Sequence, residues 1–149
     1  MKAEDLQIAA KIAAGCLFFA ADTKNFLLLQ RSEFVPSPGT WSLPGGRSED
    51  NELPEDTARR EIYEETGFDL EDQTLHLIYT NETHLPKFKF YTYASVIKRQ
   101  FEPKLNYENT DFVWCTKDNM PSPLHWGLKQ LFKHRKAMKR LKHIIKTAE

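Results

Sequence analysis

Gly46-Arg47-Ser48-Glu49-Asp50-Asn51-Glu52, followed after seven intervening residues by Arg60-Glu61-Ile62-Tyr63-Glu64-Glu65-Thr66-Gly67-Phe68, is the stretch that decides how the chain is read. Its second half predicts a helix beginning near Leu53, with Pro54 tolerated in the first turn and Gly67 placed to end it. On that helix Glu61, Glu64 and Glu65 stand three and four residues apart and project from one side within about 100° of arc. Like charges so close repel, which destabilises an ordinary surface helix. A divalent cation reverses the penalty, because carboxylate oxygens are preferred ligands of Mg²⁺ and Mn²⁺, which in turn clamp phosphate groups. Ala58 and Ile62 form a core stripe beside the acidic face. Leu53 offers no capping side chain, so Asn51 or Asp50 is expected to supply one.

Working outward, residues 8–20 are small and apolar and read as a buried strand ending in Cys16-Leu17-Phe18-Phe19-Ala20. Asp22–Asn25 is a turn, and Phe26–Arg31 a second strand completing a hairpin. Residues 32–40 hold two prolines and a glycine and read as a loop. Trp41-Ser42-Leu43 is a short strand running into Pro44-Gly45-Gly46, where two glycines permit a tight turn and close approach to a ligand. Downstream, Leu75–Thr80 and Phe88–Ile97 read as strands joined by His84-Leu85-Pro86-Lys87, and Asp111–Cys115 as a last strand. One helix is expected from about Leu124 to Lys146. The pattern is mixed α/β in a single domain, residues 1–149.

Apolar content of 40% and charged content of 28% are ordinary for a soluble globular protein. Net charge is zero, yet residues 49–72 are acidic while 128–146 are rich in Lys and Arg. Cys16 and Cys115 lack metal-like spacing and fit reduced, buried thiols in a cytoplasm. Ile12-Ala13-Ala14-Gly15-Cys16 looks a little like a lipoprotein cleavage site, but Glu4, Asp5, Gln7 and Lys11 interrupt any apolar lead-in. No run approaches a membrane span. The expected location is cytoplasmic, with no membrane partner.

Residues 46–68 resemble the Nudix box, G-x5-E-x7-R-E-U-x-E-E-x-G-U with U a bulky apolar residue; every defined position is filled. The resemblance implies an α/β/α sandwich, with a mixed sheet between the box helix and the C-terminal helix. It also implies metal-dependent hydrolysis of a nucleoside diphosphate linked to another group. Position by position, it makes Glu61, Glu64 and Glu65 metal ligands for Mg²⁺ (or Mn²⁺), joined by the backbone carbonyl of Gly45. Glu52 would support those ligands through hydrogen bonds, and Arg60 would orient Glu52 or a ligand. ADP-ribose and other nucleotide sugars, dinucleoside polyphosphates and nucleoside triphosphates all fit as substrates.

Several roles stay open. The general base is a box glutamate in some relatives and a loop glutamate before the last strand in others. Glu108 occupies the second kind of place, with Asp111 an outside candidate. Arg31 matches an arginine that binds a substrate phosphate, or it is a free surface arginine. Phe34, Phe88 and Tyr91 could stack on a nucleobase, though most phenylalanines must build the core. The C-terminal helix sets an apolar stripe opposite a basic face: either a solvated surface or a site for an anionic partner such as an RNA 5′ end. Two alternatives to a small-molecule hydrolase therefore stand, an RNA 5′-end pyrophosphohydrolase and a non-catalytic nucleotide sensor. The oligomeric state is open, a homodimer included.

Overall fold

β1 (Lys11–Ala20) is the centre of the molecule and is buried on both faces over nearly its whole length. The computed structural model describes residues 11–84 and 87–148, so the expected start of this strand at 8–10 lies outside the described residues. Alternation along β1 sends Ala14, Cys16 and Phe18 to one side and Leu17 and Phe19 to the other. A strand covered on both faces reads as a continuous apolar run rather than an alternating one. The first side packs on Ala58 and Ile62 of the box helix, α1 (Pro54–Thr66). The second packs on Leu128 and Leu131 of α2 (Trp126–Lys133) and on Ala137 and Leu141 of α3 (Arg135–Thr147). The result is the expected α/β/α sandwich.

The sheet is mixed. β1 runs parallel to β6 (Lys87–Ile97) from Lys11 opposite Phe88 to Ala20 opposite Ile97. On its other edge β1 forks. Its last residues, Phe19 and Ala20, pair with the start of β2 (Asn25–Arg31), while Ala13, Ala14 and Gly15 pair with β4 (Gly45–Arg47). At the fork the Cys16 amide donates to the Pro44 carbonyl at 3.0 Å. β2 continues away from β1, paired with β3 (Trp41–Ser42) and β7 (Asn109–Cys115). β5 (His76–His84) closes the other edge against β6. Cys16 and Cys115 are both free and buried.

Three expectations are corrected. The C-terminal helix is two helices, because His134 leaves helical geometry (φ −83°, ψ 110°). Its amide closes α2 on the Leu131 carbonyl, and its Nδ1 accepts the Ala137 amide at 3.2 Å to open α3. The bend keeps both apolar stripes on the sheet. Neither Asn51 nor Asp50 caps α1: Leu53 is the N-cap, without a side-chain bond. Pro54 already removes one orphan donor there, and Glu55 and Asp56 complement the helix dipole. The strand ends also move: β5 runs on to His84, β6 begins at Lys87 and β7 begins at Asn109. Leu85 and Pro86 of the expected connection lie outside the described residues. Gly67 ends α1 as expected, at φ 75° with its amide on the Tyr63 carbonyl.

Candidate active site

Arg60 is the hub of the acidic surface. Its Nε and Nη2 meet Glu52 Oε2 and Oε1 at 2.8 and 3.0 Å, a fork-to-fork pair. Nη1 reaches Glu61 Oε1 at 2.9 Å and both Glu64 oxygens at 3.2 Å, and Nη2 also donates to the Arg47 carbonyl. Glu52 accepts further bonds from the Glu49 amide (3.0 Å) and the Thr57 hydroxyl (2.7 Å). These bonds, led by the one from Arg60, hold the Glu52 carboxyl down at about 2. The same pairing with Glu52 raises Arg60 above the ordinary guanidinium range. Glu52 is therefore a fixed anion that locks the guanidinium, which in turn aims two box carboxylates.

Glu61, Glu65 and Glu108 each place a carboxylate oxygen within 4.8 Å of the others. Glu61 comes from the middle of α1, Glu65 from its last turn and Glu108 from the residue before β7. Glu65, only 4% exposed, spans the fork of the sheet. Its Oε2 accepts the Gly45 amide of β4 at 2.7 Å, and its Oε1 accepts the Asn109 side-chain amide of β7 at 3.1 Å. Burial pushes the Glu65 carboxyl up to about 8 against those two bonds, with Glu108 and Glu61 adding to the rise. Burial also raises Glu61, opposed by Arg60. Gly46 leaves the Glu61 carboxylate its place: a Cβ at that position would push the end of that side chain aside.

A cavity of about 580 Å³ opens beside this cluster. Glu61, Glu108, Arg31 and Arg47 contribute its charged wall, and Phe88, Phe90 and Trp126 much of its apolar one. Arg31 is held by its Nε on the Pro36 carbonyl at 2.7 Å. Burial lowers its pKa, while Glu65 and Glu108 work against that shift. Trp126, the first residue of α2, is 57% exposed although it lines the cavity. His125 before it caps the helix by accepting the Gly127 amide at 3.0 Å.

The expected residues thus separate into groups. Glu61, Glu65 and Glu108 converge. Glu64, whose side chain is 49% exposed, stands on the outer side of Arg60. Glu52 and Arg60 form the support, and Gly45 is tied to the cluster through its amide. Arg31 and Phe88 line the cavity, whereas Asp111 is an exposed strand residue bonded to the Phe112 amide. Tyr91 packs against the core on the α1 side, and Phe34 is exposed. Sequence reasoning missed Asn109, Thr57 and Trp126. Of these only Asn109 carried a clue, its place beside Glu108.

Buried carboxylates gathered without a matching number of cations fit a hard divalent ion: oxygen donors from three side chains, two of them with raised pKa, and a glycine that keeps the space clear. The residues that would hold it are Glu61, Glu65 and Glu108; Glu64, expected as a further ligand, stands outside this group with both oxygens on Arg60 Nη1.

The family model described as NUDIX domain matches residues 9–135. A Mycobacterium tuberculosis protein provisionally named 8-oxo-dGTP diphosphatase 3 is 31% identical over 129 residues, 77% of this chain; the chain spans only 57% of that protein's length. The dihydroneopterin triphosphate diphosphatase of Haemophilus influenzae is 27% identical over 115 residues, 67% of this chain and 70% of the relative. Among solved structures, a C. elegans Ap4A hydrolase in binary complex superposes with TM-score 0.59 at 28% identity, covering 69% of this chain and 78% of the other. The MutT protein of Methanosarcina mazei has the same fold, with TM-score 0.70 at 24% identity over 87% of this chain and 94% of its own.

Proposed function

The chain belongs to the Nudix family, and from that premise we propose that it is a divalent-metal-dependent pyrophosphohydrolase acting on a nucleoside diphosphate joined to a further group. The observation that carries this reading is the convergence of Glu61, Glu65 and Glu108 beside a cavity that Glu61 and Glu108 line together with Phe88, Phe90 and Trp126. Three relatives carry names or titles with related chemistry: 8-oxo-dGTP, dihydroneopterin triphosphate and Ap4A each join a flat heteroaromatic ring to a chain of phosphates. Acid wall and aromatic wall match the two halves of such a molecule.

When bound, Mg²⁺ or Mn²⁺ supplies charge neutralisation of the diphosphate and a more acidic water. Everything else falls to this chain's residues. Arg60, fixed by Glu52, keeps Glu61 and Glu64 aimed; the amides of Gly45 and Asn109 do the same for Glu65. The Gly45 carbonyl supplies one more oxygen. Arg31 binds a phosphate oxygen at the cavity wall. Glu108, less buried than its two partners, takes the proton of the attacking water at its carboxylate. The water oxygen bonds to phosphorus, the bridging P–O bond breaks, and its electron pair leaves with the departing phosphate. Trp126 and Phe88 offer aromatic faces to the ring of the substrate.

Two free, buried thiols support a reducing compartment, the cytoplasm; no helix among the described residues is long and apolar enough to cross a membrane. The test is incubation with Mg²⁺ and a panel of nucleoside diphosphate derivatives, dinucleoside polyphosphates and nucleoside triphosphates, reading phosphate released after phosphatase coupling. Turnover of at least one small compound is expected. Binding without turnover of any would leave the sensor alternative in its place.

A further inference from the structure

The segment that leads into β7 is bonded along the end of the box helix. The last turn of a helix leaves its carbonyls without partners inside the helix. Here Lys104 gives its amide to the Thr66 carbonyl at 2.8 Å, and Asn106 gives Nδ2 to the Glu64 carbonyl at 3.1 Å. Residues Asn106 to Asn109 then make a turn, closed by the Asn109 amide on the Asn106 carbonyl at 3.4 Å. Inside it Asn106 Oδ1 accepts the Glu108 amide at 3.0 Å, the bond to the backbone two residues on that asparagine makes in turns. The first and last side chains of this turn therefore grip consecutive residues of α1, Glu64 and Glu65, and Glu108 stands between them.

Glu108 is placed through its main chain. Its amide is held by Asn106, and its carbonyl accepts the Ser32 amide at 2.8 Å. Among the described residues its carboxylate accepts no hydrogen bond, whereas that of Glu61 is held by Arg60 and that of Glu65 by Gly45 and Asn109. Of the two holds on Glu108, only the one from Asn106 comes from a side chain. We propose that Asn106 is a positioning residue for Glu108: it fixes the turn on the last turn of the box helix, so that the Glu108 carboxylate meets those of Glu61 and Glu65. This rests on the phosphohydrolase reading above and adds to it a residue outside the box.

Asparagine suits both contacts. Its one amide group supplies an acceptor for the Glu108 N–H and a donor for the Glu64 carbonyl. Aspartate would keep the acceptor, lose the donor and set a negative charge against the Glu64 carbonyl. Serine would keep an acceptor for the turn without reaching the helix. A plain cap of α1 would need only the bond to Glu64; the bond to Glu108 carries the effect on to the carboxylate cluster. Placement of a reacting group matters steeply, a shift of about 1 Å costing on the order of 10²-fold in rate.

The experiment is a double-mutant cycle of wild type, Asn106→Ala, Glu108→Gln and the pair. Each is read by calorimetric titration with Mn²⁺, and by kcat and KM on the most active compound of the panel. Asn106→Ala should lower Mn²⁺ affinity by about tenfold or more. It should lower kcat by roughly 10- to 100-fold while KM stays within about twofold. In the Glu108→Gln background the same change should cost less than about twofold in either readout, because the group it places is gone. Asn106→Ser, which keeps the turn acceptor, should recover part of the loss, and it takes the place of Asn106→Ala in the cycle should that variant not fold. Equal losses in both backgrounds overturn the inference and reduce Asn106 to a helix cap. So does a fall in Tm with Mn²⁺ affinity and kcat unchanged. If Glu108→Gln alone moves neither readout, the role of Glu108 fails and the inference fails with it. Coupling in the Mn²⁺ titrations, with no hydrolysis of any compound by the wild type, sinks the enzymatic reading and leaves the positioning role standing.

Discussion

Asn109 donates its side-chain amide to Glu65 Oε1 at 3.1 Å across forty-four residues of sequence, and both partners are buried. That bond fastens the last turn of the box helix to the first residue of β7, on the far side of the fork in the sheet. The Gly45 amide holds the other oxygen from the near side. Glu65 is thereby oriented before any cation arrives, which is the work that outer hydrogen bonds perform around metal ligands. Asn109→Ala should lower Mn²⁺ affinity by roughly 10- to 100-fold, measured by calorimetric titration, and saturating Mn²⁺ should restore most of kcat. Unchanged affinity would reduce Asn109 to a packing role.

Glu65 should also make metal binding depend on pH. Its folded carboxyl sits near 8 against an ordinary 4.5, chiefly through burial. A raised acid holds its proton better in the folded state, so metal-free stability is fullest below about 4.5 and declines as pH rises toward about 8. A divalent ion competes with that proton and replaces the charge balance it provided. The Tm gain on adding Mg²⁺ should therefore grow between about pH 5 and about pH 8. Scanning calorimetry with and without metal reads it directly, and a gain independent of pH would speak against Glu65 as a ligand.

The pairing of Arg60 with Glu52 has the opposite sign. Glu52 is held near 2, so its contribution is present above about 4.5 and is lost as pH falls through about 2. Arg60→Lys cannot reproduce the two-pronged contact and leaves Glu52 and Glu61 competing for one ammonium. Its acid-unfolding midpoint, followed by far-UV circular dichroism, should move to higher pH. Its kcat should fall even at neutral pH, because Glu61 and Glu64 lose their common guide.

Glu64→Gln and Glu108→Gln separate the possible bases. Glu64 is exposed on the outer side of Arg60, so its replacement should leave the fold intact while lowering kcat by at least about 10²-fold. If Glu108 takes the water proton, Glu108→Gln should lower kcat by roughly 10²- to 10⁴-fold. A small effect at Glu108 returns the base to the box helix.

Trp126 tests the aromatic wall. Stacking of a base on an aromatic side chain is worth about 1–3 kcal/mol. Trp126→Ala should raise KM for a nucleotide substrate by roughly 5- to 150-fold with little change in kcat. Steady-state kinetics on the best compound of the panel would show it.

The box was legible because it is local: one helical period, a proline at its start and a glycine at its end fix which side Glu61 and Glu65 take. β1 was legible because a strand covered on both faces must be apolar throughout. What escaped depends on long-range pairing. Asn109 becomes meaningful only when β7 docks on β2, and Thr57 only when Glu52 folds back over the helix start. The break at His134 had no proline or glycine to announce it, and an amphipathic period carries on across it. β5 was read short because its outer half, from Asn81 to His84, is polar and belongs to a sheet edge.

Everything proposed here depends on Glu61, Glu65 and Glu108 together holding a divalent ion beside the cavity. Anomalous diffraction from crystals soaked in Mn²⁺ tests it most directly. A manganese peak within bonding distance of oxygens of those three residues is expected, weakened in Glu65→Gln. Crystals showing manganese bound elsewhere, with the three carboxylates keeping only their protein hydrogen bonds, would contradict it.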